Sequence, residues 1–405
     1  MHVIFCSTMF TDIEENLRNT KTPMGVASHK LEYSLLKGFR ENGVDVTIVN
    51  TPRIRYYPNY KKIVFKRTPF VSDGETVGIN IGFVNLPFLN YLTQMMQISK
   101  EVKKIIKERG ESAPLLFCYG PSLPKILAML YVKLRVSGTI LCQYLGDLHG
   151  KFGVTFANRV KGIKGKFIHH IETMQDKLSK RYDCFAFMTD DMARALEVQD
   201  KPYIVVEGIY SKTEEELPRI NNNDAEEKSI FYAGLLESEY GITHLLRAFS
   251  LIDDPSFRLR IAGDGAAVAE VQACAKKDNR ISYLGLITPA EVERIQSEST
   301  ILINPRTSEN EFVKLSFPSK NMECIASGKP YIAHKLACYP PEYLDYILSP
   351  KDETDEALAE KIVGVCEMPK EERDDIGRRG RHFILSRKNA RVQCSKIIDL
   401  LKQYI

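Results

Sequence analysis

The sequence predicts an α/β protein made of two Rossmann-like, doubly wound domains that face each other across a cleft. Short apolar runs alternate with helical segments along both halves of the 405-residue chain, and this alternation is typical of parallel sheets covered by helices. A polar, acidic stretch at 209–228 separates the two series. A chain of this length also exceeds one ordinary hydrophobic core, which favours two domains.

The first half begins with a strand, a helix and a second strand. Ser28 is a good N-cap and Gly43 a stop signal, so a helix is expected between two short apolar runs. This βαβ unit requires parallel strands. A Tyr-rich polar stretch then precedes an apolar segment near 79–86. The predicted strands lie at 3–6, 46–49, 115–118, 139–144, 183–188 and 203–206, and the predicted helices at 28–42, 91–109 and 124–136.

The second half repeats the alternation. Predicted strands lie at 230–233, 258–262, 281–284, 300–303 and 331–333, and predicted helices at 243–251, 267–276, 290–298 and 318–327. The last segment has apolar residues at helical spacing. We therefore divide the chain into a first domain at 1–208, a linker at 209–228, a second domain at 229–388 and a C-terminal helix at 389–405.

Composition excludes several classes of protein. Hydrophobic content of 44% and charged content of 27% are typical of a soluble globular protein, and a net charge of +4 gives no indication of nucleic-acid binding. The nine cysteines form no C-x-x-C pair, and most lie in apolar runs, as expected of reduced thiols in a cytoplasmic protein. We expect neither a signal peptide nor a membrane span, because the chain lacks a basic n-region and a long apolar run.

The richest stretch of the sequence runs from residue 317 to 330 and reads F-P-S-K-N-M-E-C-I-A-S-G-K-P. Pro318 suits a first helical turn, and Ser316 is a plausible N-cap before it. The free N–H groups and the positive dipole end of such a helix form a good seat for a diphosphate.

Glu323 lies roughly 7–8 Å further along the same predicted helix, about the reach from a diphosphate to a ribose. It shares a helix face with Ser319 and Lys320 by i, i+3 and i, i+4 spacing. One helix could therefore hold phosphate at its tip and ribose hydroxyls on its side. The alternative is a capped helix whose Glu323 only faces water.

Four blocks of the second half resemble the nucleotide-sugar-dependent glycosyltransferases of the GT-B fold, specifically family 4. The subgroup most similar in these blocks comprises bacterial enzymes of capsule, exopolysaccharide and O-antigen assembly. The blocks are F-Y-A-G-L-L-E-S-E-Y-G-I (231–242), I-A-G-D-G (261–265), I-N-P-R (303–306) and S-F-P-S-K-N-M-E-C-I-A-S-G-K-P (316–330). The resemblance covers about 229–400 and implies that the final helix packs back on the first domain. It also implies a sugar-nucleotide donor, linked to UDP or GDP, and no other cofactor.

The resemblance gives roles to individual residues. Glu323 matches the glutamate that binds the donor ribose, and Gly25 matches a loop that approaches donor and acceptor. Gly234, Gly263, Ser316, Phe317, Pro318 and Ser319 fall in blocks that bind the donor.

Three positions depart from the family pattern. Leu315 replaces the first glutamate of the motif, although Glu309 or Glu311 could substitute for it. Leu235 and Tyr240 replace an Arg and a Lys that contact the diphosphate. The charge would then come from Arg306 and Lys320, with Lys314 behind them, since an Arg–phosphate pair is strong and directional. The alternative for Arg306 is a surface ion pair.

The predicted acceptor side lies in the loop Gly146-Asp147-Leu148-His149-Gly150 after a strand of the first domain. Asp147 or His149 could take the acceptor proton, and we favour Asp147 with His149 orienting it. A retaining enzyme needs no strong base there, and Asp147 would then position substrate. The alternative is a helix cap and a solvent-facing histidine. No metal is expected, because the adjacent acids at 190–191 and 253–254 do not form a D-x-D pair.

The segment 159–181 contains seven Lys or Arg and two acids. Such a segment could contact anionic lipid at the inner face of the cell membrane, where a lipid-linked acceptor would lie, or form a solvated helix face. The leading hypothesis is a retaining glycosyltransferase of bacterial surface polysaccharide synthesis, acting on a saccharide or lipid-linked saccharide. The alternatives are a sugar-nucleotide epimerase or hydrolase, and a non-catalytic sugar-nucleotide-binding protein.

Overall fold

Two large sheets, one mostly and one fully parallel, organise the chain, and each belongs to its own compact unit. The structure is a computed structural model, and it describes residues 1–10, 18–19, 26–146, 148, 162–219, 228–309 and 311–405. One unit comprises Met1–Ile209 with Ala390–Ile405, and the other comprises Tyr210–Asn389. The predicted α/β class with two Rossmann-like domains is confirmed.

The first unit contains an eight-stranded sheet. Its strands are β1 (His2–Ser7), β2 (Asp45–Asn50), β4 (Thr68–Ser72), β5 (Glu75–Asn80), β7 (Leu115–Tyr119), β8 (Ile140–Leu145), β9 (Cys184–Phe187) and β10 (Tyr203–Val205), with β3 (Val64–Phe65) and β6 (Phe83–Val84) forming a separate antiparallel pair. The order is β10-β9-β8-β7-β1-β2-β5-β4, and all neighbours are parallel except β4 and β5.

Helices connect and cover these strands. They are α1 (Val26–Glu41), α2 (Leu89–Arg109), α3 (Leu123–Arg135), α4 (Ile163–Ser179) and α5 (Asp191–Leu196). The sequence predicted the βαβ pattern but missed β3 to β6, because most of their side chains are polar or exposed and show little apolar alternation.

The second unit contains a five-stranded, fully parallel sheet of order β13-β12-β11-β14-β15. Its strands are β11 (Lys228–Leu235), β12 (Phe257–Asp264), β13 (Ile281–Tyr283), β14 (Ile301–Asn304) and β15 (Tyr331–Ala333). Its helices are α6 (Ile242–Ser250), α7 (Val268–Lys277), α8 (Pro289–Glu298), α9 (Lys320–Ala326), α10 (Asp355–Glu367) and α11 (Lys370–Arg387).

Successive side chains of the second sheet enter two different cores. On β11, Ile230 and Tyr232 belong to one buried cluster and Phe231 to the other. On β14, Ile301 belongs to the first and Leu302 to the second. Because adjacent residues of a strand point to opposite faces, both faces of this sheet are buried, which explains its nearly continuous apolar strands.

Residues at the start of the predicted linker are bound to the second unit. The Tyr210 N–H donates to the Lys388 carbonyl at 2.8 Å, and Arg381 pairs with Glu214 at 2.7 Å. These contacts explain why the second unit begins at Tyr210.

The last helix, α12 (Ala390–Lys402), belongs to the first unit. Its Ile397 and Leu401 lie in the same buried cluster as Phe39 of α1. The two helices approach closely at Gly38, where an added Cβ would lie 2.3 Å from the Ala390 carbonyl oxygen. The return of the chain to its first unit therefore depends on a residue without a side chain.

We expect Gly38→Ala to destabilise the first unit by about 1–3 kcal/mol, because the added methyl group overpacks the α1–α12 contact. The matched control is Gly364→Ala in α10, where an added Cβ meets nothing within 4 Å. That change should be neutral or stabilising by up to about 1 kcal/mol, from helix propensity. Urea unfolding followed by circular dichroism gives both values, since the chain has no tryptophan. Equal stabilities of the two variants would contradict the close contact.

Candidate functional site

The second sheet changes its winding direction between β11 and β14. In doubly wound folds, ligands bind outside the carboxyl ends of the strands at such a switch point. β11 ends with Gly234 and Leu235, and β14 leads directly into Pro305 and Arg306. The predicted donor residues Gly234 and Arg306 therefore lie at the edge of the sheet where the topology favours a ligand.

Gly263 allows the ends of β11 and β12 to pack together. Its φ is +142°, and an added Cβ would lie only 1.8 Å from the Gly234 carbonyl oxygen. The following loops are also joined, because the Leu236 N–H donates to the Asp264 carbonyl at 2.9 Å. Any side chain at position 263 would separate these strand ends. The glycine is therefore needed for the ends of β11 and β12 to lie this close together.

Gly241 joins the loop after β11 to the loop after β14. It has a φ of +81° and directly precedes α6, and an added Cβ would lie 2.1 Å from the Pro305 carbonyl oxygen. The preceding residue, Tyr240, presents its ring to Arg306, whose guanidinium carbon lies 5.3 Å from the ring centroid. A cation–π contact therefore positions the predicted phosphate-binding arginine.

Arg306 is buried, with 2% of its surface exposed. Burial lowers its pKa, and the nearby Cys338 and Tyr240 oppose that shift. A guanidinium remains charged even so. The alternative of a surface ion pair for Arg306 is wrong, because the side chain is in the interior. The Arg306 charge therefore lies in the interior, next to the loop that follows β14.

The helix predicted at 318–327 begins later than expected. α9 starts at Lys320 with Ser319 as its N-cap and has 7 residues. Ser316 is therefore not the N-cap, and Pro318 precedes the helix. The physical reason is Phe317, which is 3% exposed and packs against the rings of Tyr339 and Tyr343 at centroid distances of 6.0 and 5.1 Å. Anchoring Phe317 in the core holds 316–318 as a loop.

Lys320 and Glu323 are both exposed in α9. The Lys320 ammonium donates to the Ala233 carbonyl at 2.5 Å, beside the end of β11. The Glu323 carboxylate makes no hydrogen bond or ion pair with any residue that the structure describes, whereas its backbone carbonyl accepts from the Ser327 N–H. Burial and then the charge of Glu323 raise the pKa of the buried Tyr210. An accessible carboxylate thus lies on the same short helix as a cation fixed at the strand edge.

The positions that depart from the family pattern have physical explanations. Leu315 is 7% exposed and belongs to the interior, so an ionised glutamate there would need a buried partner. Leu235 is 44% exposed, and Tyr240 contacts Arg306. Glu309 is exposed on the loop after β14, and the side chain of residue 311 lies outside the description.

Comparisons with known proteins agree with this geometry. Residues 213–383 match the family described as Glycosyl transferases group 1. That match spans the switch point and all of α9.

Solved structures of glycosyltransferases resemble the whole chain. Sucrose-phosphate synthase from Thermosynechococcus elongatus has a TM-score of 0.63 at 14% identity, covering 100% of this chain and 99% of that one. HepE from Anabaena, in complex with UDP, has 0.61 at 12% identity, covering 100% of both. The catalytic domain of starch synthase IV from Arabidopsis thaliana, bound to ADP and acarbose, has 0.62 at 11% identity, covering 100% of this chain and 99% of that one.

At these identities the likeness establishes the GT-B fold. The fold and the match to the group 1 family together support a nucleotide-sugar glycosyltransferase. A search of curated proteins finds no match.

The second unit also contains a chain of polar groups that the sequence did not reveal, and its two histidines are buried. The His244 Nδ1 lies 2.5 Å from an Asp355 oxygen, and its Nε2 lies 3.1 Å from the Nε2 of His334. Asp355 also accepts from Arg247 at 2.6 Å. His334 directly follows β15, and burial and the neighbouring His244 lower its pKa to about 4. The only sequence signal was a histidine after a strand, and its partners are far apart in sequence.

Three predicted residues of the first unit, Gly25, Asp147 and His149, lie outside the described residues. Near the end of β1, the structure describes Glu32, which is fully buried and accepts hydrogen bonds from the N–H and hydroxyl of Thr8. Burial raises the pKa of Glu32 to about 7, against the opposing charge of Lys125. No sequence pattern singles out Glu32, because it lies within an ordinary amphipathic helix.

We expect Gly241→Ala to disturb the switch point more than Gly285→Ala. Both glycines have left-handed backbones, with φ of +81° and +69°, so both variants carry the same backbone cost. Only position 241 adds a steric clash, because an added Cβ at 285 meets nothing within 4 Å. The difference in unfolding free energy should be about 1–3 kcal/mol, measured by urea unfolding. Equal destabilisation of the two variants would contradict the prediction, because it would mean that the backbone at Pro305 moves away at no cost in free energy.

The low pKa of His334 predicts an acid-dependent loss of stability. Between about pH 6.5 and about pH 4 the unfolded chain binds a proton that the folded chain does not, so stability falls as pH falls. From about pH 7 to about pH 5, the wild type should lose about 1–2 kcal/mol more than His334→Gln. Urea unfolding at the two pH values measures this difference. The same loss in both proteins would exclude His334 as its source.

Proposed function

We propose that this protein transfers a sugar from a nucleoside-diphosphate sugar to a saccharide or a lipid-linked saccharide. The observation that carries the proposal is Glu323, an exposed carboxylate without a partner among the described residues, on the helix whose Lys320 is fixed to the end of β11. A carboxylate in that state is ready to accept hydrogen bonds from ligand hydroxyls, which a ribose offers. The group 1 domain match spans this helix.

In this proposal, Glu323 binds the ribose hydroxyls, and Lys320 and Arg306 stabilise the diphosphate. Lys320 is exposed and can contact an oxyanion directly. Arg306 is 2% exposed and contacts the Tyr240 ring, so a direct contact with phosphate requires neighbouring side chains to move. Without such movement Arg306 contributes through its field, which is strong in a poorly solvated region. Because α9 has only 7 residues, the side chains of Lys320 and Arg306 provide most of the stabilisation of the diphosphate.

The proposed reaction is a retaining displacement at the anomeric carbon. The bond from that carbon to the diphosphate oxygen breaks, the nucleoside diphosphate leaves, and the acceptor oxygen bonds on the same face. The departing phosphate oxygen takes the acceptor proton. Asp147 and His149 then position the acceptor. In an inverting reaction, one of them would be the base.

We propose transfer without a metal ion. Asp190 and Asp191 both pair with Arg194 at the start of α5. Asp254 accepts from the Ser256 N–H and pairs with Lys228. These interactions give the acids at 190–191 and 254 structural roles. Transfer should continue in the presence of a chelator.

The donor base, sugar and acceptor belong to the proposal as well. A UDP- or GDP-linked hexose is the expected donor, and bacterial surface polysaccharide synthesis at the inner face of the cell membrane is the expected setting. The segment 159–181 was expected to contact anionic lipid there. None of the large apolar side chains that the structure describes in this segment is exposed. A contact of 159–181 with lipid therefore rests on charge alone, which holds less tightly than charge combined with apolar insertion.

We expect Glu323→Ala to weaken the binding of UDP or GDP by about tenfold or more, because a charged hydrogen-bond partner of the ribose is lost. The matched control is Glu371→Ala, another exposed glutamate in an early helical turn, which should leave the affinity unchanged. Isothermal titration calorimetry measures both. Equal dissociation constants in wild type and Glu323→Ala would remove the ribose assignment.

Incubation with UDP-, GDP- and ADP-sugars and with saccharide or lipid-linked acceptors separates the possible activities. Transfer of the sugar supports the proposal, and the anomeric configuration of the product by nuclear magnetic resonance tests retention. Free sugar or an epimerised donor would instead identify a hydrolase or an epimerase. Binding without turnover would identify a sugar-nucleotide-binding protein.

A further inference from the structure

Several large apolar side chains are exposed at the beginning of α2. Leu89, Leu92 and Met96 lie on one face of the helix by i, i+3 and i+7 spacing, with 47%, 52% and 56% of their surfaces exposed. Phe88, directly before the helix, is 74% exposed. Exposed apolar residues that cluster in this way mark an interaction surface more often than scattered ones do.

The backbone at Phe88 is unusual as well. Its φ is +62°, which places a bulky residue in the left-handed region that normally favours glycine. Its carbonyl accepts from the Leu92 N–H at 3.3 Å, which fixes it to the first turn of α2. Such backbone outliers are typically maintained at functional positions.

A basic segment at 53–67 belongs to the same surface. It contains six Lys or Arg and no carboxylate: Arg53, Arg55, Lys61, Lys62, Lys66 and Arg67. Arg67 pairs with Glu101 at 2.8 Å. The segment also exposes Tyr56, Tyr57, Ile63 and Val64. Cations and apolar side chains thus alternate over a short distance.

Asn85 joins the basic segment to α2. Its side-chain amide donates to the carbonyls of Arg55 and Lys62 at 3.1 and 3.2 Å, and its side-chain oxygen accepts from Asn90 of α2 at 3.0 Å. The rings of Tyr56 and Tyr91 lie 5.9 Å apart. The basic segment and the apolar start of α2 are therefore held next to each other.

We propose that this surface, formed by residues 53–66 and 88–96 and here called the basic–apolar surface, docks on an anionic lipid bilayer. The apolar side chains would enter the boundary between headgroups and acyl chains, and the cations would contact lipid phosphates. No helix among the described residues is long and apolar enough to cross a membrane.

Charge favours a bilayer over a second copy of the chain as the occupant. A two-fold interface places the same patch of both subunits in contact. Residues 53–66 and 88–96 contain no carboxylate, so such an interface would gather the cations of both copies without an opposing charge in a poorly solvated region. An anionic bilayer instead complements both properties of the surface.

The position of the basic–apolar surface suits an acceptor that is anchored in lipid. The basic segment follows the carboxyl end of β2, and α2 begins after β6 in the same neighbourhood. Doubly wound units bind ligands at the carboxyl edge of the sheet. Presentation of a lipid-linked acceptor to this edge rests on the proposed function, whereas contact with the bilayer does not.

Flotation of the full chain with vesicles tests the proposal. We expect binding to vesicles of phosphatidylglycerol and phosphatidylcholine, and little binding to phosphatidylcholine alone, with binding reduced by salt. The charge variant Lys61→Ser/Lys66→Ser should bind at least about tenfold more weakly, since each cation contributes roughly fivefold. The apolar variant Leu92→Ser/Met96→Ser should show a comparable loss.

Matched controls come from other parts of the first unit. Lys166→Ser/Lys177→Ser removes two exposed cations of α4, and Leu134→Ser removes an apolar side chain that is 84% exposed on α3. Both controls should bind vesicles within about twofold of wild type, since neither belongs to the basic–apolar surface. All variants should retain the wild-type affinity for nucleotide and the wild-type midpoint of unfolding.

Three results would overturn the proposal: wild type that fails to bind anionic vesicles, equal losses in the α4 and the basic-segment variants, or a dimer in sedimentation that the apolar variant converts to a monomer. The last result would identify a second copy as the occupant. Transfer of sugar to a soluble saccharide is assayed without vesicles, so failure of membrane docking and failure of the proposed activity are distinguishable.

Discussion

The contact between Gly241 and Pro305 is the constraint on which the candidate donor site depends. It holds the start of α6 against the residues that follow β14, with no room for a Cβ. Because Tyr240 is the next residue back along the chain, the same contact places its ring over Arg306. A single close backbone approach therefore determines where the buried cation lies relative to the ends of β11 and β14.

The charged side chains near the ends of β11 and β14 are arranged in a way that favours one kind of ligand. Lys320 is tied to the end of β11 through Ala233, and Glu323 follows three residues later, about 4.5 Å along α9. A purely anionic ligand would be attracted by Lys320 and Arg306 and repelled by Glu323. A ligand with an anionic part and a hydroxyl-bearing part satisfies all three, and a nucleoside diphosphate has that combination. This ordering gives the assignment a physical basis even though α9 is short.

The sequence predicted the two α/β units well because periodic apolar runs determine strands and helices locally. It singled out Arg306, Lys320 and Glu323 as candidates because they lie in continuous motifs. It misplaced the start of α9 because capping residues near Ser316 are a local signal, whereas the burial of Phe317 against Tyr339 and Tyr343 is a tertiary effect. The contact of His244 with His334 spans 90 positions, and no local pattern reports such a pair.

The difference between local sequence signals and tertiary contacts also explains why we assign lipid binding to one basic segment of the first unit and not to the other. In the sequence, 159–181 and 53–67 both have a strong excess of cations. Charge alone acts at long range but is screened by salt, whereas apolar insertion is short-ranged and needs exposed side chains. Only the structure shows that the apolar residues at the start of α2 are exposed and bound to 53–67 through Asn85. The coincidence of both forces on one surface, rather than the number of cations, is what singles out that surface for lipid.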